Sequence, residues 1–127
     1  MALLLMYNLS PARQGAVRML CARLKIRARA VEASEYKEKL GALAGMEEKR
    51  NEPFSGEPFA DEMLLMAGFA PQTLDALLRA FRSYRVEPVA LKAVLTPVNA
   101  EWDSVRLHEE LLREHEAAAK GGKAHGA

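Results

Sequence analysis

The sequence predicts an α/β fold made of two βαβα halves, on three observations. Short apolar runs alternate with stretches of helical periodicity. Serine and proline stand where helices should start. The chain also repeats itself without a gap when residue i is set beside residue i+60. "LLLMYNLSPARQGA" at 3–16 then faces "MLLMAGFAPQTLDA" at 63–76. Identities fall at Leu4/Leu64, Leu5/Leu65, Met6/Met66, Pro11/Pro71, Ala16/Ala76, Ala30/Ala90 and Ala33/Ala93. Ile26 faces Val86, and Val31 faces Leu91. The alternative to duplication is two unrelated βαβ units of common length.

Each element follows from local chemistry. Ala2–Tyr7 is a continuous apolar run, as a strand buried on both faces requires. Ser10 can cap a helix with Pro11 at its first position, and Val17, Leu20, Cys21 and Leu24 make its apolar stripe. Ile26–Ala33 alternates as a second strand, with Ile26, Ala28 and Ala30 on one side and Arg27 and Arg29 on the other. Ser34 can cap a helix running to about Leu43, with Gly45 as its stop. The stretch 47–60 has two prolines and a glycine but no apolar period, so it reads as a connector. The second half repeats the plan: a strand at Glu62–Ala67, a helix opened by Pro71, a strand at 88–95, and a helix from Ala100 or Asp103 to about Ala118. Residues 1–119 thus form one domain, with halves 1–46 and 61–119. The segment 120–127 reads as a disordered tail.

Strand character suggests an order. The first and third strands are the apolar ones and belong in the middle, while Arg27, Arg29 and Lys92 suit edge strands. Right-handed crossovers then give order 2-1-3-4 in a parallel sheet with helices on both faces. An antiparallel join of two βαβ halves around a dyad is the alternative.

Bulk composition excludes several classes of function. The net charge is only +1, so no global field marks a nucleic-acid binder. The arginines of the first half lack interleaved aromatics and read as a solvated face. The single cysteine cannot build an internal disulfide framework and points to a reducing compartment. No stretch approaches the length of a membrane span, and the N-terminal run lacks the marks of a signal peptide. A soluble cytoplasmic protein is expected, with neither nucleic acid nor membrane as a partner.

In an open parallel sheet a ligand binds beyond the carboxyl ends of the strands, where the winding reverses. That places a candidate site between the loops "YNLSP" and "AGFAP", with Asn8, Ser10 and Gly68 as contacts. The same residue types serve any tight turn between strand and helix. A second candidate is the loop "LTPVNAEW", where Thr96, Asn99 and Trp102 can form a polar pocket with an aromatic wall. Equally, Asn99 or Asp103 can cap the last helix, with Trp102 as a core anchor. Lys92 shares strand parity with Thr96. Buried, it would be a base or amine nucleophile; at an edge, it keeps its head in water. Cys21 lies on an apolar stripe and reads as inert packing. His108 and His115 lean onto the Leu111/Leu112 face as boundary residues of the core. No catalytic triad, glycine-rich phosphate loop or paired-cysteine metal motif is present, so no catalytic residue, metal or cofactor is expected.

"PFADEMLLMAGF", "LDALLRAF", "PVALKAVLTPVNAEW" and "LHEELLREHE" together resemble a bacterial family, domain of unknown function 3783, over about residues 58–116. The most specific part is "LKAVLTPVNAEW", which carries Lys92, Thr96, Pro97, Asn99 and Trp102. The resemblance implies a small bacterial cytoplasmic α/β protein and no known activity. Two functions follow as expectations. One is a non-enzymatic module that binds a small molecule or a protein, or pairs as a homodimer. The other is a small enzyme with a shallow pocket around Lys92, Thr96 and Asn99.

Overall fold

A computed structural model describes the backbone of residues 1–125 and the side chains of residues 1–120. It contains a four-stranded sheet of β1 (Leu3–Tyr7), β2 (Arg27–Ala30), β3 (Met63–Ala67) and β4 (Leu91–Val94). Helices α1 (Pro11–Arg23) and α3 (Pro71–Ser83) follow β1 and β3. The short α2 (Leu40–Leu43) follows β2, and α4 (Ser104–His125) closes the chain. The strand order is β2-β1-β3-β4, with the apolar strands central and the charged ones at the edges.

The sheet is mixed. β1 runs parallel to β2, and β3 parallel to β4, but β1 and β3 are antiparallel. The expected parallel join is therefore corrected to the dyad arrangement. A parallel join needs a crossover that carries the chain back along the sheet, usually a full helix. The helix expected from Ser34 to Leu43 does not supply it. That segment is a 3-10 turn at Ala33–Glu35 followed by the single turn of α2. The connector then enters β3 beside the end of β1, where the Asn8 amide donates to the carbonyls of Phe59 (2.9 Å) and Asp61 (3.0 Å).

The central register is what a two-fold axis demands. Repeat-mates Leu5 and Leu65 face each other, and Leu4 meets Met66 as Met6 meets Leu64. The echo runs through the helices, since α1 and α3 are matched residue for residue. It continues into their exits: Lys25 and Arg85 both have positive φ, and Ile26 and Val86 both donate to a carbonyl in the last turn, at 2.8 Å. There it breaks. Leu3 pairs with Arg27, whose repeat-mate is Glu87, yet Met63 pairs with Leu91. Residues 87–90 are extra, so the expected matches Val31/Leu91, Ala30/Ala90 and Ala33/Ala93 do not hold. The strand expected at 88–95 starts only at Leu91 for the same reason.

Two cores result. α1 and α3 cover one face, packing Val17, Leu20, Cys21, Leu77 and Phe81 onto Leu4, Met6, Leu64 and Met66. α2, α4 and the connector cover the other, over Leu5, Tyr7, Met63 and Leu65. Phe54 and Phe59 of the connector belong to this second core, which the sequence pattern did not announce. Lys39 and Asp103 bridge near the dyad, with the Leu40 N–H donating to the Trp102 carbonyl (2.8 Å). α4 continues to His125, into the stretch expected as a tail; residues 126–127 of that stretch lie outside the described residues. Among the described residues no helix is long and apolar enough to cross a membrane.

Candidate functional site

The antiparallel centre moves the carboxyl ends of β1 and β3 to opposite ends of the sheet. Tyr7 lies beside Met63, and Leu3 beside Ala67. Asn8 and Ser10 therefore stand at one end and Gly68 at the other, and the pocket expected between their loops is not assembled. Each of the three has local work instead. Ser10 caps α1 by accepting from the Arg13 N–H at 3.2 Å. Asn8 holds the connector, at a φ of 61°. Its repeat-mate Gly68 has a φ of 70°, and a Cβ there would stand 2.9 Å from the Met1 carbonyl oxygen.

Beyond Asn8 lies a stack of rings. Phe59 is sandwiched between Tyr36 (centroids 4.6 Å apart) and His108 (4.0 Å), and His108 Nε2 is 2.8 Å from Asp61 Oδ2. Beneath it the Tyr7 hydroxyl bonds Ser104 Oγ at 2.8 Å. Burial pushes both tyrosine hydroxyls above their usual range, so both stay protonated and serve as packing and hydrogen-bonding groups. His108 is buried in this stack, whereas His115 is exposed on α4.

At the other end, the Thr96 and Asn99 pair is self-contained. Asn99 Oδ1 accepts from the Thr96 N–H (2.8 Å), and the Asn99 N–H donates to Thr96 Oγ1 (3.1 Å). Asn99 Nδ2 donates to the Val94 carbonyl (3.0 Å). This loop hands the chain from β4 to α4, which Asp103 caps by accepting from the Arg106 N–H at 2.9 Å. Trp102 is half-buried against the second core, with the Arg106 guanidinium 4.6 Å from its ring. Lys92 does not reach this loop. Its Nζ turns back to the Val89 carbonyl at 2.7 Å, before the strand.

Lys92 opens instead onto a cleft of about 560 Å³ between the end of α3 and β4. Leu78, Phe81 and Val89 line it with apolar surface, and Arg82, Arg85, Glu87 and Lys92 add charge. The cleft lies where the repeat breaks. The extra residues 87–90 lead from the helix exit to β4, pinned at the Glu87 carbonyl by Arg13 Nη1 (2.6 Å) and at the Val89 carbonyl by Lys92. Arg13 is itself held by Glu62 through two hydrogen bonds of 3.0 and 2.8 Å. At the equivalent place in the first half, Arg18, the repeat-mate of Leu78, lies across to the Ala28 carbonyl at 3.0 Å.

The residues of this cleft coincide with a recognisable segment. Residues 62–117 match the family model of the domain of unknown function DUF3783. The matched segment takes in β3, α3, β4 and the first turns of α4, and so every residue lining the cleft. The first half, which completes the sheet, lies outside it. No curated protein and no solved structure matches the chain.

Of the residues singled out from sequence, only Lys92 lines the cleft. Arg82, Arg85, Glu87 and Val89 went unnoticed. Pro88 was the available signal, because a proline inside a run read as strand argues against that reading.

Proposed function

We propose that this is a non-enzymatic binding module of the bacterial cytoplasm whose ligand seat is the cleft between α3 and β4. The observation that carries this reading is the cleft itself, opened by residues absent from the first half. Its volume, about 560 Å³, lies within the roughly 300–1,000 Å³ typical of small-molecule sites, and an apolar lining with a few polar groups is their usual composition. The enzyme reading needs Lys92, Thr96 and Asn99 to converge. The Lys92 ammonium instead bonds a carbonyl at the start of β4, while Thr96 and Asn99 satisfy one another past its end. Cys21 supports an inert role for the thiol, since burial pushes it up to about 11.

Titration of the labelled protein with a fragment and metabolite library, followed by backbone NMR, tests the reading. Ligand-induced shifts should cluster on residues 78–92. Shifts confined to the Thr96–Trp102 loop, or no response to any compound, would refute it. A protein partner is the second reading. It is favoured by Val94 and Val98, which are 41% and 70% exposed on and just beyond the open edge strand β4.

A further inference from the structure

We infer that the cleft takes a linear apolar molecule ending in a single anionic group, a carboxylate or a phosphate; this rests on the binding role proposed above. Three cations, Arg82, Arg85 and Lys92, meet one carboxylate, Glu87, around an apolar floor. Lys92 is fixed where the floor meets the rim. One of its three N–H donors is spent on the Val89 carbonyl, which leaves two to point at a ligand. Arg82 and Arg85 are exposed, and among the described residues neither side chain makes an ion pair or hydrogen bond, so both can turn toward an anion.

The floor supplies the other half of the recognition. Leu78 is half-buried, and Phe81 and Val89 are buried with the first core beneath them. Each methylene that leaves water there contributes about fourfold in affinity. The first half is the internal control. At the positions of Leu78, Phe81 and Arg82 it has Arg18, Cys21 and Ala22, and Arg18 spans the gap to Ala28. At these positions the second half therefore offers Leu78, Phe81 and Arg82 to a trough, where the first half lays Arg18 across the surface.

The test titrates the full chain with monomeric hexanoate, octanoate and decanoate, then with octyl phosphate, 1-octanol and acetate, by calorimetry and NMR. Affinity should rise along the carboxylate series, octyl phosphate should bind, and acetate should not. 1-Octanol should bind at least tenfold more weakly than octanoate. Lys92→Met should weaken octanoate at least tenfold and leave 1-octanol unchanged, whereas Lys92→Arg should retain octanoate. Arg82→Gln/Arg85→Gln changes only exposed side chains, so it tests the rim without endangering the fold, and it should weaken octanoate too. Equal binding of octanoate and 1-octanol at residues 78–92 would overturn the anion requirement while leaving the binding role intact. Cosedimentation with phosphatidylglycerol vesicles without binding of monomeric octanoate would overturn the free-ligand assignment. Silence of every probe and of the library at residues 78–92 would overturn both.

Discussion

Asn8 and Gly68 occupy equivalent turns, both with positive φ, but only Asn8 is a side-chain donor. Gly68→Ala should destabilise the protein by at least about 1–2 kcal/mol, the cost of a left-handed L-residue, because the new methyl also meets the Met1 carbonyl. Asn8→Gly keeps the backbone but releases the connector, so its loss should be near the low end of about 0.5–1.5 kcal/mol per hydrogen bond. Asn8→Ala should cost more than Asn8→Gly. Urea denaturation of the three variants measures this, and the reverse order would deny the role of φ. Glu35 makes a second test. Burial pushes its carboxyl up, but hydrogen bonds from Lys49, the Glu32 N–H and Arg29 outweigh that and bring it from 4.5 down to about 2. Because the folded value is the lower one, the stabilisation is complete above about pH 4.5 and is lost as pH falls through about 2. Glu35→Gln should be less stable than the parent at pH 7 and converge with it near pH 2. Parallel stability curves would remove Glu35 from the acid response.

Between elements, single polar contacts tie segments distant in sequence. Tyr7 of β1 and Ser104 at the start of α4 are both fully buried, and each hydroxyl satisfies the other. Tyr7→Phe should cost about 1–3 kcal/mol by leaving Ser104 unpaired. The double variant Tyr7→Phe/Ser104→Ala should recover part of that loss in a thermodynamic cycle. The central strands, α1 and α3 were legible because they obey local rules: continuous apolar runs and Ser-Pro or Ala-Pro starts. The stretch 33–43 was not. Its spacing suits a helix, but Glu38 turns inward to accept the N–H groups of Arg50 (2.8 Å) and Asn51 (2.7 Å), so the chain breaks to grip the connector. Such a tertiary demand leaves no periodic trace.

For the molecule as a whole, the dyad sets Leu5 and Leu65 opposite each other at the centre of the sheet, each wholly buried. Leu5→Ala and Leu65→Ala should therefore cost similar amounts, about 2–5 kcal/mol each, and the double variant should depart from additivity because the two touch. A loss at one site several times that at the other would contradict the symmetry. The sixty-residue echo revealed both halves but not how they meet. Whether two apolar strands pair parallel or antiparallel is decided by the path of the connector, and Asn8 and Phe59 reveal that path only once folded. The cleft stayed hidden for a related reason: it is a departure from the repeat, and an ungapped comparison reads through it. Two identical halves about an axis would carry every surface in duplicate, so any change in one would be copied to the other. Linking them in a single polypeptide ends that obligation. One half can keep a direct passage from helix to edge strand while its twin carries four more residues and opens a trough.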